Sequence, residues 1–240
     1  SFAEDLFAQA KRAGRTSGRE RLTDRSSRLL AQAQALAPYK YEPIADLGML
    51  YTWWATATTD REIMDARGRT ADKYYEQVLT LSPNHVNFWT ERAYVNMRVL
   101  NRLEAAEKYI KRAVDLDPTY SWSHKVAGDC YYAMGKSRKD RSAAPDDFKQ
   151  AIREYEEAVR TARRNDPVSL ADCHLAASRA YAEAGDADKA RAHAKAAADE
   201  GAPRARTAPS RNHVESPERR PSRPGSVYVP PEDSQGENTE

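Results

Sequence analysis

One helical pattern recurs along this chain of 240 residues. Residues 101–118 and 148–167 both contain an alanine, a bulky residue four positions later and a second alanine three positions after that. The matching positions are Ala106, Ile110 and Ala113 in one segment and Ala151, Tyr155 and Ala158 in the other. Positions i, i+4 and i+7 share one face of an α-helix, and a proline ends each segment. The pattern therefore predicts amphipathic helices that need a partner to cover their apolar face.

The segments between these helices carry a second recurring signature. A small residue is followed by a tyrosine three positions later and a glycine four positions after that, as in Gly128, Tyr131 and Gly135. Similar positions are occupied by Gly48 and Tyr51, by Ser178, Tyr181 and Gly185, and, with the register shifted by about one position, by Ala93. A small side chain lets two helices approach closely, and a large one such as Tyr155 fills the space that remains.

Together the two signatures resemble the tetratricopeptide repeat, a pair of antiparallel helices. The resemblance implies a stack of pairs, because each pair buries one of its faces only against the next pair. We therefore predict an all-α fold, a right-handed α-α superhelix (a tetratricopeptide-like solenoid) of about five helix pairs in residues 1–203. The predicted units are 1–40, 41–84, 85–119, 120–168 and 169–203.

Two of these units carry extra residues between their two helices, near 56–68 and near 136–147. The first insertion could lengthen the helices. The second is charged and contains Pro145, so it is predicted to be a protruding loop.

Residues 204–240 are rich in proline and arginine and have almost no apolar periodicity. Such a segment buries too little apolar surface to offset its ordering entropy, and we predict a disordered tail.

The resemblance also implies a partner-binding surface, because the first helix of each tetratricopeptide pair lines the concave face on which an extended peptide or a partner protein binds. Helical phase selects the candidate residues Met49, Thr52, Trp53, Tyr94, Arg98, Trp122, Lys125, Asp129, Tyr132 and Arg179. The alternative is that aromatic residues such as Trp53 and Tyr132 pack between units. A subclass of the family grips a terminal carboxylate with Lys and Asn on successive turns. Here Lys125 and Asp129 occupy those positions, and an acidic residue would repel a carboxylate, so this subclass is disfavoured.

No motif of a catalytic or cofactor-binding site is present: the chain lacks a P-loop, GxGxxG, HExxH and a nucleophile elbow. We therefore predict no enzymatic activity in this chain, no cofactor and no metal. Cys173 and His174 are adjacent and diverge by about 100° on a helix. His174 shares its repeat position with His124, which favours packing over metal binding.

A formal net charge of +2 gives no reason to expect nucleic acid, and the longest uncharged stretch, 47–59, is too short to cross a bilayer.

Phrases within residues 30–135 also resemble the helical-repeat C-terminal region of bacterial O-antigen ligase/polymerase-like membrane proteins. This resemblance implies an accessory domain of a glycan-transferring enzyme whose catalytic part would precede Ser1, with a possible tether to the bacterial cell envelope. The first methionine, Met49, lies well inside the chain, which favours a fragment of a larger protein. The sequence thus leaves two functions open, a protein-interaction scaffold and this accessory domain, and it leaves the ligand, the compartment and the oligomeric state unspecified.

Overall fold

The computed structural model describes residues 9, 16–138, 144–162 and 168–200. The helices in this part of the chain are α1 (Thr16–Leu36), α2 (Glu42–Thr56), α3 (Arg61–Leu81), α4 (Val86–Arg98), α5 (Leu103–Leu116), α6 (Ser121–Ser137), α7 (Ala144–Thr161), α8 (Leu170–Glu183) and α9 (Ala187–Asp199). The described residues contain helices and turns and no strand, so the predicted all-α class is confirmed. The predicted tail, 204–240, lies outside them.

Local sequence signals set several helix ends. Asp60 and Asp186 cap the helices α3 and α9, because their carboxylates accept hydrogen bonds from the backbone N–H groups three residues later, at 3.1 Å and 3.0 Å. Pro43 lies in the first turn of α2, where its missing N–H removes no helical hydrogen bond. Gly185 joins α8 to α9 with a φ of +84°, a conformation that side chains with a Cβ rarely adopt.

Successive helices pack as the pairs α2/α3, α4/α5, α6/α7 and α8/α9, and one pair falls in each of the last four predicted units. The second helix of each pair packs against the first helix of the next, and the first helices α2, α4, α6 and α8 also contact one another in sequence. The helix α1 packs on α2 as the described remainder of the unit 1–40. Contacts between neighbouring pairs alone are what a stacked-repeat solenoid requires.

Glycine and tyrosine bring two of the pairs into close contact. A Cβ placed on Gly128 of α6 would lie 2.5 Å from two ring carbons of Tyr155 of α7, and one on Gly48 of α2 would lie 2.9 Å from the ring of Tyr75 of α3. Both tyrosines are almost fully buried. The α4/α5 pair has a different combination, with Ala93 and the smaller Ile110 in one buried cluster.

A buried polar network joins the second and third predicted units. Arg92 of α4 is 8% exposed, and its guanidinium donates to Asp72 at 2.9 Å and to Glu76 at 3.0 Å, both on α3. The Asn96 side-chain amide also donates to Asp72, at 2.9 Å. Because a buried charge is costly unless it is paired and hydrogen-bonded, these contacts fix the register of α4 on α3. The sequence patterns, which track apolar residues, did not predict this network.

The structure shows where the two insertions go. Residues 61–68 are helical, so the first insertion lengthens α3. A longer helix is what the sequence analysis considered for this insertion. The second is less of a loop than predicted: α6 continues to Ser137, and α7 begins at Ala144 with Pro145 in its first turn. Proline is tolerated there for the same reason as in α2. Between these helices only Arg138 is described, so the shape of residues 139–143 lies outside the described residues.

Candidate functional site

The first helices of three consecutive pairs form a partly exposed surface. This first-helix face consists of Glu91, Tyr94 and Arg98 of α4, Trp122, Lys125, Asp129 and Tyr132 of α6, and Arg179 and Glu183 of α8. The rings of Tyr94 and Trp122 have centroids 5.9 Å apart, and the Tyr132 hydroxyl lies 3.5 Å from the Glu183 carboxylate. Side chains of neighbouring units therefore meet along the face, as helical phase predicted for most of these residues.

Glu91 is the most unusual charged group of the first-helix face. Its Oε1 accepts a hydrogen bond from the Trp122 indole N–H at 3.1 Å. Burial raises the pKa of Glu91 to about 7, and the indole hydrogen bond opposes this rise only partly. The Glu91 charge also contributes to the raised pKa values of Tyr75 and Tyr94, so the carboxylate lies within electrostatic range of both hydroxyls. Among the described residues, no Lys, Arg or His side chain forms an ion pair with it.

Two lysines on or beside the first-helix face form ion pairs with carboxylates of the chain itself. The Lys125 ammonium donates to both carboxylate oxygens of Asp129 at 2.7 Å. Asp129 in turn accepts from the hydroxyl of the buried Tyr155 at 2.8 Å, which connects the ion pair to α7. Lys136 donates to Glu183 at 2.8 Å. Lys125 and Asp129 therefore serve the α6/α7 contact as well as lying on the predicted binding surface.

The predicted site residues of α2 lie outside the first-helix face. Thr52 does not line the surface: it is 7% exposed, and its hydroxyl donates to the Gly48 carbonyl at 2.8 Å and lies 3.3 Å from the Tyr75 hydroxyl. Its phase on α2 turns it toward α3, which corrects that prediction. Met49 and Trp53 of α2 are half-buried, and Met49 packs against the core cluster that contains Tyr75. On the first-helix face itself, Arg98 and Arg179 are exposed.

The sequence analysis missed Glu91, although a signal for it existed. Glu91 precedes Tyr94 by three residues and Arg98 by seven, so the three share one face of α4. In unit 85–119 the repeat register was ambiguous by about one position, so the helical phase of Glu91 was not recognised. The contact with Trp122 could not be read from spacing, because it depends on how closely α6 packs against α4.

His124 and His174, which share a repeat position, have different surroundings. His124 is 5% exposed, and both ring nitrogens are hydrogen-bonded, Nδ1 to Glu154 at 2.8 Å and Nε2 to the Pro118 carbonyl at 2.9 Å. Burial lowers the pKa of His124, but the bonds to Glu154 and Pro118 and the Glu154 charge outweigh it, so the pKa is raised. His174 instead meets His193 of α9. A packing role is thus supported for His124.

A separate concavity of about 520 Å³ lies between α5 and the α6/α7 pair. Five of its twelve lining residues are acidic, but four of these carboxylates already have basic partners within the chain: Glu107 with Lys111, Asp146 with Lys149, Asp147 with Arg138, and Glu154 with His124. Paired carboxylates offer little to a ligand cation, so the first-helix face is the better candidate. Within the described part of the chain, no group of three or more His, Cys, Asp or Glu side chains is arranged to hold a metal ion.

Comparisons with known proteins agree with this architecture. The tetratricopeptide-repeat family profile matches residues 89–120, which run from α4 to the end of the turn before α6. The chain therefore contains one segment that is similar to a tetratricopeptide repeat. Among solved structures it is similar to MamA, with 19% identity, a TM-score of 0.56, and coverage of 75% of this chain and 90% of that one. MamA from Desulfovibrio magneticus RS-1 matches with 14% identity, a TM-score of 0.58, and coverage of 83% and 93%.

YrrB, described as a tetratricopeptide protein with an unusual peptide-binding site, matches with 17% identity, a TM-score of 0.51, and coverage of 75% of this chain and 78% of that one. At these identities the similarity shows the fold alone. The predicted solenoid fold is therefore confirmed, and the predicted resemblance to tetratricopeptide repeats is supported over residues 89–120. No curated protein matches the chain significantly, and the resemblance to O-antigen ligase-like proteins receives no support. None of the described helices has the length and apolarity that a membrane span requires.

Proposed function

We propose that this chain is a protein-interaction scaffold, without catalytic activity of its own, that binds an extended peptide segment along the first-helix face. The tetratricopeptide architecture supports the scaffold, because stacked pairs offer a long surface of side chains from successive units. The YrrB structure gives a precedent for a peptide site on this fold. The alternative of an accessory domain in a membrane-bound glycan-transferring enzyme gains no observation from the structure.

The observation that carries the finer proposal is the carboxyl of Glu91 beside Trp122 and Tyr94, which has no counter-cation among the described residues. A half-buried carboxylate without a counter-cation costs free energy, which a ligand cation would recover. The Tyr94 and Trp122 rings, 5.9 Å apart, add two faces on which a cation can rest. By contrast, Lys125 and Lys136 already bind carboxylates of the chain. The face therefore favours a peptide that places a Lys or Arg side chain at Glu91.

This specificity can be tested with a phage-displayed library of random linear peptides. We expect selection on the wild-type protein to enrich peptides that contain Lys or Arg. The variant Glu91→Gln keeps the size of the side chain and an acceptor for Trp122, but it loses the charge, so the enrichment of basic residues should disappear. The matched control is Glu62→Gln, an exposed glutamate of α3 outside the face, which should retain the wild-type preference.

Two results would contradict the proposal. Equal enrichment of basic residues by wild type and Glu91→Gln would show that a group other than Glu91 binds the Lys or Arg side chain of the peptide. Failure of the wild-type protein to enrich any sequence above the background of an empty surface would remove the peptide-binding function itself. Far-UV circular dichroism of each variant serves to confirm that the helices are intact.

A further inference from the structure

Two histidines that are far apart in sequence meet at the last described helix pair. The Nδ1 atoms of His174 on α8 and His193 on α9 are 3.0 Å apart. Their ring centroids are 5.1 Å apart, and the ring planes are inclined by 51°. Both side chains are half-buried, so the pair is held by packing and still reachable from solvent. Neither residue belongs to the first-helix face.

This contact constrains where two neutral imidazoles carry their protons. A neutral ring carries its proton on one nitrogen and a lone pair on the other. If both rings kept their protons on Nε2, two lone pairs would face each other at 3.0 Å, which is repulsive. The contact becomes favourable only when one Nδ1 carries a proton or when a cation lies between the two nitrogens.

Neutral imidazole is the form that binds transition-metal ions, and both Nδ1 atoms are available when the two rings carry their protons on Nε2. Each ring then offers a lone pair toward the same point in space.

We propose that His174 and His193 form a two-histidine binding site for a divalent transition-metal ion of the Zn²⁺, Ni²⁺ or Cu²⁺ class. With metal–nitrogen bonds of about 2.0–2.1 Å, two imidazole nitrogens on one ion lie about 2.9 Å apart at a 90° angle and about 3.3 Å apart at a tetrahedral angle. The observed 3.0 Å falls within this range. Imidazole suits Zn, Cu and Ni ions, whereas Mg and Ca ions prefer oxygen ligands.

The surroundings decide how strong such a site would be. No third His, Cys, Asp or Glu of the described chain completes the cluster, so water would occupy the remaining positions. The Tyr181 ring lies 5.4 Å from that of His193, and its hydroxyl donates to the Glu156 carboxylate. The Glu156 charge acts on His193 and would help to neutralise the ion, while Lys189 acts in the opposite direction. A modest affinity, set mainly by the two imidazoles, is the expected result.

Isothermal titration of untagged protein with Ni²⁺ and with Zn²⁺ tests the site. We expect one ion per chain, and affinity lowered by about tenfold or more in His174→Gln and in His193→Gln, since loss of even an outer-shell contact costs about that much. The controls are His85→Gln, a histidine outside the site, and Cys173→Ala, the buried thiol next to His174. Both controls should bind like the wild type. Unchanged binding in the double histidine variant, or its loss in Cys173→Ala, would overturn the proposal.

A second measurement keeps the test decisive if a variant folds poorly. In wild-type protein with ¹⁵N-labelled histidine, Zn²⁺ should shift the imidazole signals of His174 and His193 and leave those of His85 and His124 in place. The shift should vanish near pH 5, because protons then compete for the same nitrogens. Signals of His174 and His193 that do not respond to Zn²⁺ at neutral pH would show that the pair is a hydrogen bond and not a metal site.

Discussion

The close approach of α6 and α7 at Gly128 makes a stability prediction whose sign is opposite to that at an ordinary helix glycine. A Cβ at Gly128 would lie 2.5 Å from Cδ1 and Cε1 of Tyr155. The Tyr155 side chain is 2% exposed, so its ring has no free space to move into. If the ring shifts, its hydroxyl also loses the 2.8 Å hydrogen bond to Asp129. Gly128→Ala should therefore destabilise the protein, although alanine is the better helix former.

The magnitude follows from three contributions. Overpacking a core costs about 1–3 kcal/mol, and a weakened hydrogen bond to a charged group adds about 1–2 kcal/mol. The higher helix propensity of alanine returns about 1 kcal/mol. The net loss is about 1–4 kcal/mol in the free energy of unfolding, which corresponds to a fall in Tm of roughly 2–16 °C for a chain of this size.

Thermal and urea unfolding followed by far-UV circular dichroism would measure this loss. The matched control is Gly18→Ala in α1, because nothing lies within 4 Å of a Cβ at Gly18. It should stabilise the protein by about 0.5–1 kcal/mol. Gly48→Ala, with a contact of 2.9 Å to Tyr75, should fall between the two. Stability of Gly128→Ala equal to that of Gly18→Ala would refute the reasoning.

The chain itself suggests a compensating change. The α4/α5 pair places Ala93 and Ile110 where α6/α7 has Gly128 and Tyr155. Adding Tyr155→Ile to Gly128→Ala should therefore recover part of the loss, with a favourable coupling of about 1–2 kcal/mol in a double-mutant cycle. Additive effects of the two substitutions would mean that the side chains do not compete for one space.

Two further predictions concern buried titratable groups. Because the pKa of His124 is raised in the folded state, its contribution to stability is fully present below about pH 6.5 and is lost as pH rises through the folded value. The stability difference between wild type and His124→Gln, from urea unfolding, should thus shrink between roughly pH 6 and pH 9; a constant difference would contradict this. Burial raises the pKa of the Cys130 thiol to about 12, so iodoacetamide at about pH 8 should alkylate it slowly until the protein unfolds. Equal labelling rates in native and urea-unfolded protein, followed by mass spectrometry of the Cys130 peptide, would be inconsistent with that burial.

The sequence predicted those features that depend on spacing along one helix. The helix pairs followed from the alanine, tyrosine and proline positions, and the close contact of Gly128 with Tyr155 followed from side-chain size. Individual contacts that depend on the exact rotation and register of two packed helices were mostly not predictable. Thr52 turns toward α3 instead of the surface, and His174 meets His193 although 19 positions separate them. A shift of one helix by a single turn would separate such pairs without changing any sequence pattern.

The extra turns of α3 have a consequence for how this protein can be divided. Gly68 lies in that extension, and a Cβ there would meet the side chains of Val99 and Leu100 at the end of α4. Arg67, one residue earlier, stacks on Trp54 at 4.0 Å and donates to its carbonyl at 3.1 Å. The insertion thus packs against its own unit, 41–84, and against the following unit, 85–119. Units 41–84 and 85–119 are therefore coupled by packing, and an engineer who shuffles repeats of this chain would have to move them together.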